Sequence, residues 1–147
     1  MASLLTLTFS QPTRTLAAGE VLIKEGDPGG DLYVLESGKL TVSRAGVTLA
    51  TITAQGALIG EMSVLLGTEN TATVTADKPT TVRVVKDALA FLERQPLVAL
   101  RVAMLLSQRL DATSALLVEM QKDSKGKGPE AGIFGRLMSA LVSEGKG

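Results

Sequence analysis

The stretch from Gly56 to Gly67 contains the residue types that are best suited to binding chemistry. It reads GALIGEMSVLLG, and the part from Glu61 to Leu66 is long enough for about one and a half helical turns. A helix N-terminus presents unsatisfied N–H groups and a partial positive charge, so it can hold a phosphate group. Gly60, just before the helix, would let a ligand approach the backbone closely. A plain crossover connection explains the same pattern equally well, so both interpretations stay open at this point.

The composition excludes most kinds of catalysis. The chain has no cysteine and no histidine. It therefore has no disulfide framework, no thiolate nucleophile, no zinc thiolate site and no Ser–His–Asp triad. Aromatic residues make up 3% of the chain, which leaves few platforms for a sugar substrate beside a pair of carboxylates. The sequence predicts a protein that is not an enzyme and that carries no cofactor or metal.

Charge and hydropathy also limit the partners. Lysine plus arginine equals aspartate plus glutamate, at 15 each, so no general positive field attracts nucleic acid or anionic lipid. The apolar N-terminal run from Leu4 to Phe9 is interrupted by Thr6 and Thr8 and has no leading positive charge. That run is too short and too polar for a signal peptide or a membrane span. We expect an edge strand or a short helix packed on the domain, and a cytoplasmic protein.

The residues from Thr13 to about Lys86 read as short strands broken by glycine-containing turns. Strands at a spacing of roughly 8–12 residues with such turns indicate an antiparallel sandwich, roll or barrel. Apolar residues make up 45% of the 147-residue chain, enough for one domain with an aliphatic core. The clearest predicted strands are 21–23, 32–35, 40–42, 47–53, 71–76 and 80–85.

The pattern changes to helix at Asp87, which is predicted as the N-cap of a helix over residues 88–94. Pro96 suits the first turn of a second helix, which we place at about 97–121. A helix of about 25 residues is longer than a small domain needs, so it either covers the strands or pairs in part with another chain. We expect a linker at 122–131 and a short amphipathic helix within 132–147.

The order of these signals along the chain resembles the cyclic-nucleotide-binding domains from about Thr13 to Val118. The resemblance implies a β-roll with a short internal phosphate-binding helix and a long C-terminal helix, preceded by an N-terminal segment at 1–12. Its motifs are Gly19-Glu20, Glu25-Gly26-Asp27, Leu32-Tyr33-Val34, Glu36-Ser37-Gly38, Gly60-Glu61-Met62-Ser63 and Ala72-Thr73-Val74.

The resemblance also implies a ligand and the residues that hold it. In the family, the glutamate of the Gly-Glu pair accepts a hydrogen bond from the ribose 2′-hydroxyl, and Glu61 occupies that position. Backbone N–H groups at the start of the following helix hold the cyclic phosphate, a role that falls to Gly60, Met62 and Ser63. The implied function is that of a non-catalytic sensor for cAMP, with cGMP as the second choice, which signals by repositioning its C-terminal helix.

One position departs from the family pattern. Where the family has an arginine that pairs with the phosphate, this chain has Asn70, followed by Thr71. Losing a charge-assisted contact costs on the order of 1.5–3 kcal/mol if nothing replaces it. Arg44 and Arg83 lie on neighbouring predicted strands and are candidates for that replacement. A domain that keeps the fold without binding nucleotide, and serves as a dimerisation or protein-interaction module, is the alternative. Thr71 leaves the choice between adenine and guanine open.

The long helix carries a second possible contact with the ligand. Thr113 and Ser114 occupy the place where the activator branch of the family positions Thr-Ser against the purine of a bound nucleotide, at a dimer interface. The resemblance therefore implies a homodimer formed through this helix. Threonine and serine on an exposed helix face explain the two residues equally well. About 25 residues remain after Gln121, too few for a winged helix-turn-helix, so direct DNA binding is not expected.

Overall fold

The computed structural model describes residues 2–123, 135–137, 139 and 140. The chain divides into two compact units, Met1–Arg101 and Val102–Gly147. The first unit contains the strands that the structure describes, together with three short helices. The elements in chain order are α1 (Leu4–Leu7), β1 (Thr13–Leu16), β2 (Val21–Ile23), β3 (Leu32–Ser37), β4 (Leu40–Arg44), β5 (Val47–Ile52), β6 (Leu58–Ile59), α2 (Glu61–Leu66), β7 (Thr73–Ala76), β8 (Thr80–Val85), α3 (Ala88–Arg94) and α4 (Pro96–Asp123).

The strands form two four-stranded sheets, with the orders β1-β8-β3-β6 and β2-β7-β4-β5. Every pairing is antiparallel, for example Tyr33 with Val84 and Val42 with Val74. Both sheets contribute to one aliphatic core, whose burial is the main source of stability. The antiparallel β-roll followed by a long helix confirms the predicted fold class. Core residues that are almost completely buried include Leu16, Leu35, Leu40 and Val82.

The N-terminal segment forms a short helix rather than an edge strand. Ser3 caps α1, since its Oγ accepts a hydrogen bond from the Thr6 N–H at 3.3 Å. Leu4 is buried, and the Thr8 hydroxyl donates to the Leu4 carbonyl at 2.6 Å. The sequence left two structures open for this segment, an edge strand or a short helix packed on the domain, and the segment forms the helix.

The start of α3 lies where Asp87 predicted it, but the predicted capping chemistry is wrong. Asp87 has a left-handed backbone, with φ 46°, and makes no side-chain capping bond. A capping side chain normally extends from a β-region backbone, which Asp87 lacks. The Asp87 N–H instead donates to Asp31 Oδ1 at 3.1 Å, and the Ala88 N–H donates to the Gly30 carbonyl at 2.9 Å. The Gly30–Asp31 segment therefore caps this helix.

Helix α4 begins at Pro96 and ends at Asp123, one residue before and two residues after the predicted limits. Residues 122 and 123, which we assigned to the linker, are thus helical, and Lys122 in the last turn interacts favourably with the helix dipole. Residues 124–131 of the predicted linker lie outside the described residues. Of the predicted C-terminal segment, residues 135–137, 139 and 140 are described, and they are helical.

Candidate functional site

The predicted phosphate-binding segment is a crossover from β6 to β7 that contains α2. Helix α2 covers Glu61–Leu66, as the sequence predicted, and it lies between two glycines with left-handed backbones. Gly60 has φ 88° at the N-cap, and Gly67 has φ 66° at the C-cap. Because L-residues rarely adopt this conformation, glycine fixes both ends of the helix.

The first turn of α2 holds three of the predicted ligand-binding residues in different environments. Glu61 is the first helical residue and is partly buried, where a carboxylate interacts favourably with the helix dipole. Met62 is 51% exposed. Ser63 is buried, and its hydroxyl donates to the Gly60 carbonyl at 3.1 Å. The Ser63 side chain therefore holds the helix turn together.

Asn70 connects the segment to the loop that follows β2. Its backbone N–H donates to the Asp27 carbonyl at 2.9 Å, and its carbonyl accepts from the Gly26 N–H at the same distance. Its side-chain amide donates to the carbonyls of Lys24 and Pro28, both at 3.4 Å. Bonds of that length are weak, so the backbone pair provides most of the connection.

Gly29 lies close to two of the predicted site residues, Ser63 and Asn70, a proximity that the sequence pattern did not predict. A Cβ atom on Gly29 would overlap the side chain of Ser63 and would lie 3.1 Å from Asn70 Oδ1. Only glycine allows the loop to pack this closely on α2 and Asn70. The sequence signal for this contact is the run Pro28-Gly29-Gly30, which lies in one of the glycine-containing turns between the predicted strands.

Thr71 and Met62 are two further predicted site residues that are in contact in the structure. The Thr71 hydroxyl donates to the Met62 sulfur at 3.7 Å, across the two ends of the segment. Thr71 is partly buried and Met62 is exposed. Gly60, Glu61, Met62, Ser63, Asn70 and Thr71 thus belong to one crossover, closed by the contacts of Gly29 and Thr71.

The two arginines proposed as replacements for the phosphate-binding arginine differ in their surroundings. Arg83 on β8 forms an ion pair with Glu36, with 3.1 Å between Nη2 and Oε1. Its Nη1 donates to the carbonyls of Phe9 and Gln11 in the N-terminal segment. Arg83 is therefore engaged in holding that segment on the sheet. Arg44 is exposed at the end of β4.

A charged cluster lies beside the segment, at the start of β3. Asp31 forms an ion pair with Lys86, with 3.0 Å between Oδ2 and Nζ, and this hydrogen bond raises the pKa of Lys86. Burial, and next the charge of Asp31, raise the pKa of the Tyr33 hydroxyl. Among the residues that the structure describes, no group of acidic side chains could hold a metal ion.

The remaining predicted contacts lie in the second unit. Thr113 is exposed on α4, and the Ser114 hydroxyl donates to the Asp111 carbonyl at 3.0 Å within the same helix. Their contact with a purine stays a prediction.

None of the helices within the described ranges combines the length and hydropathy that a membrane span requires. The cytoplasmic location stays a prediction.

An antiparallel roll whose crossover carries a short helix between two glycines, followed by further helices, defines the class of small β-roll domains. The sequence model of the family described as "Cyclic nucleotide-binding domain" matches residues 13–93, more than half of the chain. The chain belongs to this family.

Three relatives illustrate the similarity. The Cyclic AMP receptor protein of Thermus thermophilus is 36% identical over 113 residues, which are 72% of this chain and 51% of that protein. The crystal structure of the Thermus thermophilus catabolite activator protein superposes with a TM-score of 0.67 at 33% identity, covering 80% of this chain and 59% of that one. A cGMP-dependent protein kinase of Drosophila melanogaster is 42% identical over 59 residues, which are 40% of this chain and 5% of the kinase. The chain thus spans about half of the first protein and a small part of the kinase.

Proposed function

We propose that this chain is a non-catalytic regulatory module that binds a cyclic nucleotide, with cAMP preferred over cGMP. Glu61 accepts the ribose 2′-hydroxyl, and the backbone N–H groups of Gly60, Met62 and Ser63 hold the phosphate. The observation that carries the proposal is the position of Glu61. Glu61 is the first residue of a helix that lies between two glycines with left-handed backbones, in a β-roll of this family. Asn70 and Thr71 complete the segment with neutral donors.

A route for the signal leads through the loop before β3. The Asp31 carbonyl packs against Gly60, while Gly30 and Asp31 accept the first backbone N–H groups of α3. A ligand that shifts the backbone at Gly60 therefore acts on the loop that caps the next helix. For this to be a switch, the ligand must bind one helix position more tightly than the other.

The dimer and the base contact complete the proposal. Helix α4 has exposed apolar side chains, among them Leu110, Leu116 and Met120, which are 49%, 60% and 62% exposed. Such a face favours pairing with a second copy or docking of a protein partner. Thr113 and Ser114 contact the purine in this proposal. The relative named for cyclic AMP aligns over the longer stretch, which supports cAMP, and the kinase named for cGMP keeps cGMP as the second ligand.

Isothermal titration calorimetry with cAMP and cGMP tests the proposal. We expect binding of cAMP in the micromolar range or tighter, and its loss in Glu61→Ala, which removes the ribose acceptor. Glu69→Ala is the matched control, because Glu69 is an exposed carboxylate in the same crossover. Equal loss in both variants, or no heat with either nucleotide at millimolar concentration, would contradict the proposal.

The alternative function is an interaction module that binds no nucleotide. It is favoured by the engagement of Arg83 with Glu36 and of the Asn70 amide with the loop carbonyls. It predicts no binding of either nucleotide, together with a dimer that Leu110→Glu dissociates in light scattering. Retained nucleotide binding in a chain that stays monomeric at all concentrations would exclude it.

A further inference from the structure

We propose that the site recognises its ligand without pairing the phosphate charge with a basic side chain, so that the neutral nucleoside binds within about tenfold of the cyclic nucleotide. This inference rests on the proposed function, and it concerns the same residues. It follows from the charges on the crossover, from the engagement of the surrounding cations and from the contacts of Asn70.

The crossover and the strands that flank it carry no positive side chain. Between Arg44 and Lys78 the chain has no lysine and no arginine, whereas it has Glu61, Glu69 and Asp77. This stretch includes β5, β6, α2 and β7. An anionic ligand therefore meets acidic side chains and no basic side chain from the crossover itself.

Three of the cations on the surrounding elements already have carboxylate partners, whereas Arg44, on the β4 strand that pairs with β7, is exposed to solvent. Arg83 on β8 pairs with Glu36 at 3.1 Å. Lys86, after β8, pairs with Asp31, and Arg14 on β1 pairs with Glu20, each at 3.0 Å. A phosphate would have to compete with an existing carboxylate for any of these three side chains.

Lys24 is the basic residue whose backbone the crossover touches, since its carbonyl lies 3.4 Å from Asn70 Nδ2. Lys24 is exposed. An exposed ammonium group is strongly hydrated and its attraction is screened by salt, so it contributes little to the binding of a phosphate. Lys24 is nevertheless the side chain that an experiment must test.

Asn70 does not replace the missing charge. Its amide nitrogen faces the carbonyls of Lys24 and Pro28, at 3.4 Å from each, and a phosphate would compete with these two weak contacts. A neutral amide also forms a weaker hydrogen bond with an anion than a guanidinium does. Recognition then depends on the neutral backbone N–H groups at the start of α2, on the ribose contact of Glu61 and on contacts with the base, and a nucleoside shares the last two with its cyclic nucleotide.

Calorimetry with adenosine and cAMP at low and high salt tests this inference on the full chain. We expect the two dissociation constants to agree within about tenfold, because a charge-assisted contact worth roughly 10- to 100-fold is absent. The cAMP affinity should change little with salt. Asn70→Arg should raise the affinity for cAMP relative to that for adenosine by about 10- to 100-fold. Asn70→Gln, the uncharged control, should change the ratio of the two affinities little.

The outcomes separate this inference from the proposed function. If cAMP binds more than about tenfold tighter than adenosine, and Lys24→Gln abolishes the difference, the inference is overturned and the proposed function stands. A difference of that size between the two affinities that Lys24→Gln does not change also overturns the inference. If adenosine binds and cAMP does not, the similar affinity inferred here is wrong and the nucleotide assignment fails as well. If neither binds, both are wrong. The comparison of the adenosine and cAMP affinities on the unmodified chain tests the inference even if the Asn70→Arg variant does not fold.

Discussion

The Asp31 carbonyl oxygen packs so closely on Gly60 that a Cβ atom on this glycine would lie 2.7 Å from it. Asp31 therefore contacts the residue at which the predicted phosphate-binding helix begins. The same residue accepts the Asp87 N–H through its side chain, where α3 begins. One residue thus connects the proposed ligand site to the first of the C-terminal helices.

Gly60→Ala should destabilise the fold more than the same substitution at another glycine with the same left-handed backbone. A left-handed backbone costs a non-glycine residue about 1–2 kcal/mol, and the clash with Asp31 adds about 1–3 kcal/mol. Gly56→Ala is the matched control, because Gly56 also has φ 88° and a Cβ there meets nothing within 4 Å. Urea unfolding of both variants measures the difference. Equal losses of unfolding free energy would show that the contact with Asp31 adds no constraint.

The sequence predicted the roll because its signals are local. Short runs of β-branched and aliphatic residues between glycine turns indicated strands at 21–23 and 80–85, and the structure has both within these limits. The limits of α2 were also correct, because glycines flank it closely. The capping by Asp87 was wrong, since residue type alone does not specify a left-handed backbone.

The contacts that close the candidate site were not predictable from local patterns. The Asn70 amide reaches carbonyls more than 40 positions earlier in the chain, and Arg83 reaches the carbonyl of Phe9, 74 positions earlier. The sequence predicted Asn70 as the departure from the family pattern, but the contacts of Asn70 arise from the way the loop after β2 packs on the crossover. The engagement of Arg83 likewise depends on how the N-terminal segment folds back onto β8.

Gly29→Ala should push the loop away from α2. The new methyl group overlaps the Ser63 side chain, and such overpacking costs about 1–3 kcal/mol of unfolding free energy. Ser63→Gly removes the overlapping atoms, so the double variant should be more stable than the sum of the single losses predicts. Urea unfolding of the four proteins of this cycle gives the coupling energy. Strict additivity would mean that Gly29 and Ser63 do not constrain each other.

Arg83→Met should release the N-terminal segment and leave nucleotide binding unchanged. The substitution removes the ion pair with Glu36 and the donors to the Phe9 and Gln11 carbonyls, at a cost of about 1–2 kcal/mol for these partly exposed groups. Hydrogen exchange of residues 2–12 should speed up. Arg14→Met, which breaks an exposed ion pair with Glu20, should cost less than about 1 kcal/mol. A loss of cAMP binding specific to Arg83→Met would make Arg83 part of the ligand site.

The hydroxyl of Tyr33 should ionise at a higher pH in the folded protein than in the unfolded chain. Burial, and next the negative charge of Asp31, raise its pKa above the ordinary value of 10.0, and the charge of Lys86 lowers it. Asp31→Asn should therefore lower the pKa of Tyr33, and Lys86→Gln should raise it. Because Tyr33 is the single tyrosine of the chain, its ultraviolet absorbance reports the titration directly.

The same shift makes the stability depend on pH in the alkaline range. A raised pKa in the folded state gives a contribution that is fully present below the unfolded pKa and is lost as pH rises through the folded one. The raised pKa of Lys86 acts in the same direction. The unfolding free energy should thus fall above a pH of about 10, and fall less steeply in Tyr33→Phe. A Tyr33 midpoint at or below that of the urea-unfolded chain, or one that Asp31→Asn does not move, would contradict the arrangement of this cluster.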